Sequence, residues 1–109
     1  MQDLAFTIKA DFLRVLAHPV RLQIIELLNV GEKNVGGIAK KLDIPQSSLS
    51  RHLLDMREAG ILKARQQGTI IHYSIADRDI FRVLRPVAEM LHKKLKLTES
   101  VLRTLGKVS

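Results

Sequence analysis

Val35-Gly36-Gly37-Ile38-Ala39-Lys40-Lys41-Leu42, then Asp43-Ile44-Pro45, then Gln46-Ser47-Ser48-Leu49-Ser50-Arg51-His52-Leu53-Leu54-Asp55-Met56-Arg57-Glu58-Ala59 read as helix, tight turn, helix. Asn34 suits the N-cap of the first helix. Gly36 and Gly37 weaken that helix intrinsically, so packing by Ile38, Ala39 and Leu42 must hold it. In the second helix Leu49, Leu53 and Met56 fall at i, i+4 and i+7, forming one buried stripe, and Gly60 is its stop.

The second helix opens on an end that suits a DNA groove. At about 100° per residue, Ser47 and Arg51 point opposite the apolar stripe, and Gln46, Ser48, Ser50 and His52 lie on the flanks. An arginine can pair bidentately with guanine and a glutamine with adenine. Hydroxyls and a helix N-terminus suit phosphate. The acidic residues Asp55 and Glu58 come later, where such a helix would be leaving the groove.

After Gly60 the period changes from 3.6 to 2. Leu62, Ala64 and Gln66 alternate with Lys63 and Arg65. Beyond a Gln67-Gly68 turn, Ile71, Tyr73 and Ile75 alternate with Ile70, His72 and Ser74, which makes a β-hairpin. Lys63 and Arg65 share one face beside a polar tip containing Gln67. A helix-turn-helix followed at once by a basic hairpin is the arrangement of a recognition helix and a wing.

Upstream, Leu4, Ile8, Phe12 and Val15 mark an apolar face on a helix from Leu4 to Leu16. Pro19 opens a second helix, Pro19 to Leu28, with His18 as a cap beside it. That helix is apolar almost all round and belongs at the centre of the core. Downstream of a cap near Asp77, the residues Phe81, Leu84, Ala88, Leu91, Leu95, Thr98, Leu102 and Leu105 follow steps of three and four. This is the spacing of a coiled-coil seam, and the alternative is a helix packed on its own domain. Pro86 is expected to kink or split the helix near Arg85.

A chain of 109 residues suits one domain, so the expectation is a single winged-helix domain over 1–109 with 77–105 as a C-terminal dimerisation helix. The fold class expected is mainly α with a small β-hairpin, in the order α-α-α-α-β-β-α. A hydrophobic fraction of 46% is that of a globular protein, and with only 4% aromatics the core must be aliphatic. The net charge of +7 favours an acidic partner, nucleic acid ahead of an anionic membrane. The absence of cysteine removes disulfides, thiolate metal sites and thiol redox chemistry. No apolar run is long enough to span a bilayer, and Met1-Gln2-Asp3-Leu4 lacks the features of a signal peptide, so a cytoplasmic location is expected.

Three motifs in order resemble the ArsR/SmtB family of bacterial and archaeal repressors: Leu16 to Leu28, Pro45 to Leu53 with Arg57 to Leu62, and Arg65-Gln66-Gln67-Gly68 through His72-Tyr73-Ser74. The resemblance implies a winged helix-turn-helix that dimerises through its first and last helices, here through Leu4, Ile8, Phe12, Leu84, Ala88, Leu91 and Leu95. The implied DNA-binding residues are Gln46, Ser47, Ser48, Ser50, Arg51, His52, Lys63, Arg65 and Gln67. Pro45 departs from the family, in which a serine often caps the recognition helix.

Such repressors commonly release DNA when a metal or other inducer binds. Where the resemblance implies a cysteine pair, this chain has Asn34 and Gly36, which cannot bind a soft metal. Where it implies ligands on the last helix, Asp79 and His92 have Phe81 and Leu95 as companions, with Lys93, Lys94 and Lys96 opposing a cation. No metal or cofactor is therefore expected, and the inducer could be a small molecule, a partner protein or none. The chain has no nucleophilic cysteine, phosphate loop or recognisable carboxylate pair, which argues against an enzyme. The expected function is that of a sequence-specific DNA-binding regulator, a homodimeric repressor on an inverted repeat. The alternatives are an architectural DNA protein or a protein-interaction module.

Overall fold

The structure is a computed structural model that describes residues 2–95 and 99–106. The chain divides after Ala76 into two compact units. The first unit holds helices α1 (Gln2–Leu16), α2 (Pro19–Leu28), α3 (Val35–Leu42) and α4 (Gln46–Glu58), and strands β1 (Lys33–Asn34), β2 (Leu62–Gln67) and β3 (Ile70–Ile75). The second holds α5 (Ile80–Lys94) and α6 (Glu99–Gly106).

Chain ends and turns explain where the helices of the first unit start and stop. His18 Nδ1 accepts the Val20 amide at 3.2 Å, with Pro19 in the first turn of α2. Asn34 Oδ1 accepts the Gly37 amide at 2.7 Å and caps α3. At the other end of α3, Asp43 turns left-handed (φ 55°), its amide meeting Lys40 O while the Ile44 amide meets Ala39 O. That is a Schellman close, with a short polar side chain where glycine is the usual choice. Gly60 (φ 81°) closes α4 in the same way: its amide goes to Arg57 O and the Ile61 amide to Met56 O.

The core is built where the periodicity places it. Ile24, Ile25 and Leu28 of α2 are buried, with Ile38 and Ala39 of α3 and the stripe Leu49, Leu53 and Met56 of α4. Helix α2 touches α1, α3, α4 and β3, which is why it is apolar on most sides.

The sheet is larger than the expected hairpin. Its order is β1-β3-β2, antiparallel throughout, with Lys33 opposite Tyr73 and Asn34 opposite His72. A two-residue strand carries no alternation to read, and Asn34 both ends it and caps the next helix. The β2–β3 register pairs Gln67 with Ile70, so the turn is Gly68-Thr69, one residue later than expected. Gly68 (φ 63°) occupies the first turn position, where the II′ hairpin turn requires positive φ.

In the second unit the expected single helix over 77–105 is two helices. Asp77 Oδ1 accepts the Asp79 amide in a turn, and α5 begins only at Ile80. It runs unbroken through Pro86 and ends where Leu95 becomes extended. His92, Lys93 and Lys94 occupy its last turn, where cations complement the helix dipole, so the charge pattern favours an end there. Leu84 and Ala88, expected in an intermolecular seam, are buried within the single chain, Leu91 is half-buried, and Leu95 is exposed. Thr98 and the side chain of Leu102 lie outside the described residues.

Replacing Asn34 by Ala should cost about 1 kcal/mol, the usual weight of an N-cap side chain. Urea denaturation followed by circular dichroism would measure it. An unchanged midpoint would mean that packing alone holds α3.

Candidate nucleic-acid interface

Pro45 sits at the N-cap of α4 without a side-chain cap, and its carbonyl accepts the Ser48 and Leu49 amides, each at 3.1 Å. The apolar stripe is turned inward, which leaves Gln46, Ser47, Ser48, Ser50 and Arg51 exposed. Ser50 Oγ donates to Gln46 O at 2.9 Å and so is partly engaged by its own helix. Arg51 is 73% exposed, with one guanidinium nitrogen 3.5 Å from Asp55 Oδ1. Gln46 and Ser50 line a cleft of about 430 Å³ together with Asn34, Thr69 and Ile70. The start of α4 and the tip of the hairpin therefore face one space.

His52 is placed differently from its neighbours on the helix. Its ring is half-buried, 4.4 Å from the His18 ring, and its Nδ1 accepts Arg21 Nε at 3.0 Å. The same guanidinium donates to Asp55 Oδ2 at 2.7 Å and to Val15 O at 3.2 Å. Partial burial holds the imidazole below the ordinary histidine range, and the nearby His18 and Arg21 add to the effect against the opposing pull of Asp55. A neutral ring is what accepting from an arginine requires. His52 thus packs helices together.

On the hairpin, Lys63, Arg65 and Gln67 alternate along β2 and share a face, all exposed. Arg65 is not free. Its Nε and one terminal nitrogen donate to Glu32 at 3.2 and 2.7 Å, and the other terminal nitrogen lies 3.5 Å from Gln67 Oε1. The guanidinium holds the Glu32 carboxyl below the usual carboxylate range, and His72 Nδ1 approaches the same carboxylate at 3.7 Å. Glu32, Arg21 and Asp55 carried no signal in the linear pattern as members of the site, because their partners lie more than 30 residues away.

Among the described residues, no group of three or more His, Cys, Asp or Glu side chains is placed to hold a metal ion. Asp79 lies 3.6 Å from Arg82 in an exposed pair. No helix among the described residues is long and apolar enough to cross a membrane.

Two helices joined by a left-handed turn, the second exposing a polar and basic N-terminal end beside a basic hairpin, define a winged helix-turn-helix. The description of the bacterial regulatory protein arsR family matches residues 18–64. The HTH-type transcriptional regulator Rv0081 of Mycobacterium tuberculosis is 36% identical, over 92% of this chain and 89% of its own. Its crystal structure superposes with a TM-score of 0.75, covering 83% of this chain and 91% of that one. The transcriptional repressor PagR of Bacillus anthracis is 40% identical over 72% of this chain and 82% of its own. A solution structure from Mycobacterium bovis, described as a homodimeric winged helix-turn-helix DNA-binding domain of a possible ArsR-family regulator, gives a TM-score of 0.76 at 29% identity. It covers 87% of this chain and 88% of that one. The chain belongs to the arsR family and is a transcriptional regulator, like these relatives, and not an enzyme.

Arg21→Ala should destabilise the fold by about 3 kcal/mol, because it strands Asp55 and His52 in a part-buried site. Arg21 is 12% exposed and Asp55 29%, which keeps the cost at the lower end of that for buried pairs. Because His52 takes a proton less readily folded than unfolded, stability should be full above about pH 6.5 and fall as the pH drops below it. His52→Asn keeps an acceptor for Arg21 without a titrating ring and should flatten that decline in thermal melts. An equal decline in the variant would place the titration elsewhere.

Proposed function

We propose that the protein is a sequence-specific DNA-binding repressor that acts as a homodimer on an inverted-repeat operator. One observation carries the reading: the N-terminal half of α4 exposes Gln46, Ser47, Ser48 and Arg51 beside a hairpin bearing Lys63 and Arg65. Arg51 reads a base edge, Gln46 a second, the serines meet phosphate, and Lys63, Arg65 and Gln67 lie along the backbone. His52 supports the helix from behind. Repression is favoured by the relative named a transcriptional repressor, and a cytoplasmic location goes with that reading.

The dimer reading is supported by α1. Leu4, Phe6, Ile8 and Leu13 are each more than half exposed, and they point to more than one side of the helix. So many large apolar side chains on one short helix call for a protein cover. Leu4, Ile8 and the half-buried Phe12 supply that surface on α1. On α5 the contribution falls to Leu91 and the exposed Val83, Val87 and Met90, with Leu95 just past its end, since Leu84 and Ala88 are already covered.

Binding to the protein's own upstream DNA and to a scrambled duplex at matched salt tests the reading. The expected preference is about 10³ or more. Arg51→Ala should lose about 1–3 kcal/mol and relax choice at one base position. Equal affinity for the two duplexes would favour an architectural role, and no binding to either an interaction module. Ile8→Glu should yield monomers by sedimentation and lose operator affinity with them; a variant that stays dimeric would rule α1 out of the interface.

A further inference from the structure

The wing's arginine is drawn across the sheet by an acidic side chain just before β1. Arg65 lies opposite His72 on β3, and Asn34 of β1 lies opposite His72 from the other side. To reach Glu32, which immediately precedes β1, the guanidinium crosses over the central strand. Each of its three nitrogens has a protein acceptor, two on Glu32 and one on Gln67. The fork geometry that satisfies a carboxylate also satisfies a phosphate, so the two ligands compete for the same donors. Arg65 is 54% exposed and Glu32 36%, so the pair is open to solvent and such exposed pairs are weak. The other charges facing Glu32 are His72 and Lys63, both on the sheet.

We propose that Glu32 is a positioning residue that sets how strongly the wing grips DNA, by holding Arg65 back across the sheet until a backbone phosphate displaces it. This rests on the DNA-binding reading above. Glu32 thereby offsets part of one phosphate contact's attraction, by the small weight of an exposed ion pair. Because phosphate contacts carry no sequence information, it lowers affinity for every duplex alike. Lys63, the other wing cation that the sequence singled out, faces Glu32 only through space.

The test is a salt titration of duplex binding by the full chain, wild type against Glu32→Gln, Arg65→Gln and the double variant. Glu32→Gln should tighten binding to operator and scrambled duplex by the same factor, about threefold at moderate salt, the scale of one exposed ion pair no longer competing. Its log affinity against log salt should keep the wild-type slope, because Arg65 meets the same phosphate in both complexes. In the Arg65→Gln background the same change should give no gain. Thermal melts of Glu32→Gln should match wild type, and Glu32→Ala should repeat the gain without any neutral hydrogen bond to Arg65. No gain in affinity from Glu32→Gln, or an equal gain in the Arg65→Gln background, would overturn the proposal, the second outcome assigning the effect to general charge. Wild-type protein that binds neither duplex would instead overturn the DNA-binding reading, and this proposal with it.

Discussion

One guanidinium holds three helices of the first unit in register. Arg21 on α2 donates to Val15 O near the end of α1 and to both His52 and Asp55 on α4. A cation this little exposed is tolerable only when its donors are satisfied, and each acceptor meets a separate condition. Val15 offers one of the carbonyls that a helix end leaves without an internal partner. His52 has to be neutral, and its environment disfavours the proton. Asp55 accepts at one oxygen and faces a second arginine, Arg51, across the other. The orientation of the recognition helix is thereby fixed from its protected side, independently of whatever its outer face meets.

That outer face presents less free positive charge than a net charge of +7 suggests. Arg51 lies near Asp55, and Arg65 is bound to Glu32. Lys63 is exposed on the same face of β2 and feels the Glu32 carboxylate only through space. The start of α4 is polar and uncharged, and Pro45 puts no capping side chain over it. The surface is thus graded, with polar uncharged groups at the helix start and acid-paired arginines around them.

Local chemistry made much of this legible. Pro19, Asn34, Asp43-Ile44-Pro45, Gly60 and the Leu49/Leu53/Met56 stripe act on neighbours a few residues away, and the helices between them lie where those signals put them. What stayed hidden depends on distance in sequence or on competition. Glu32 and Arg65 meet across a sheet whose third strand is two residues long, too short to show a period. Arg21 looked like one polar residue on an apolar helix, and nothing local marks its partners on α4. In the last third the heptad spacing favours one long helix, but a cationic final turn and an extended Leu95 end it early. Pro86 lacks an amide proton and still sits inside α5, so the spacing prevailed over the proline there and the charge prevailed later.

The join between α4 and the sheet has a geometric corollary. Only Ala59, Gly60 and Ile61 separate the recognition helix from β2. Those residues are bound at both ends: Gly60 and Ile61 amides hold α4, while Ile61 O accepts the Ala76 amide just past β3. Ile61 is itself buried. Reader helix and wing therefore move as one rigid caliper whose opening is set by covalent and hydrogen-bonded geometry. In the proposed dimer, DNA within one half-site would have to conform to that opening. Any adjustment to operator length would then come from the joint between two copies, making the permitted spacing of half-sites a property of the pair and not of the winged helix.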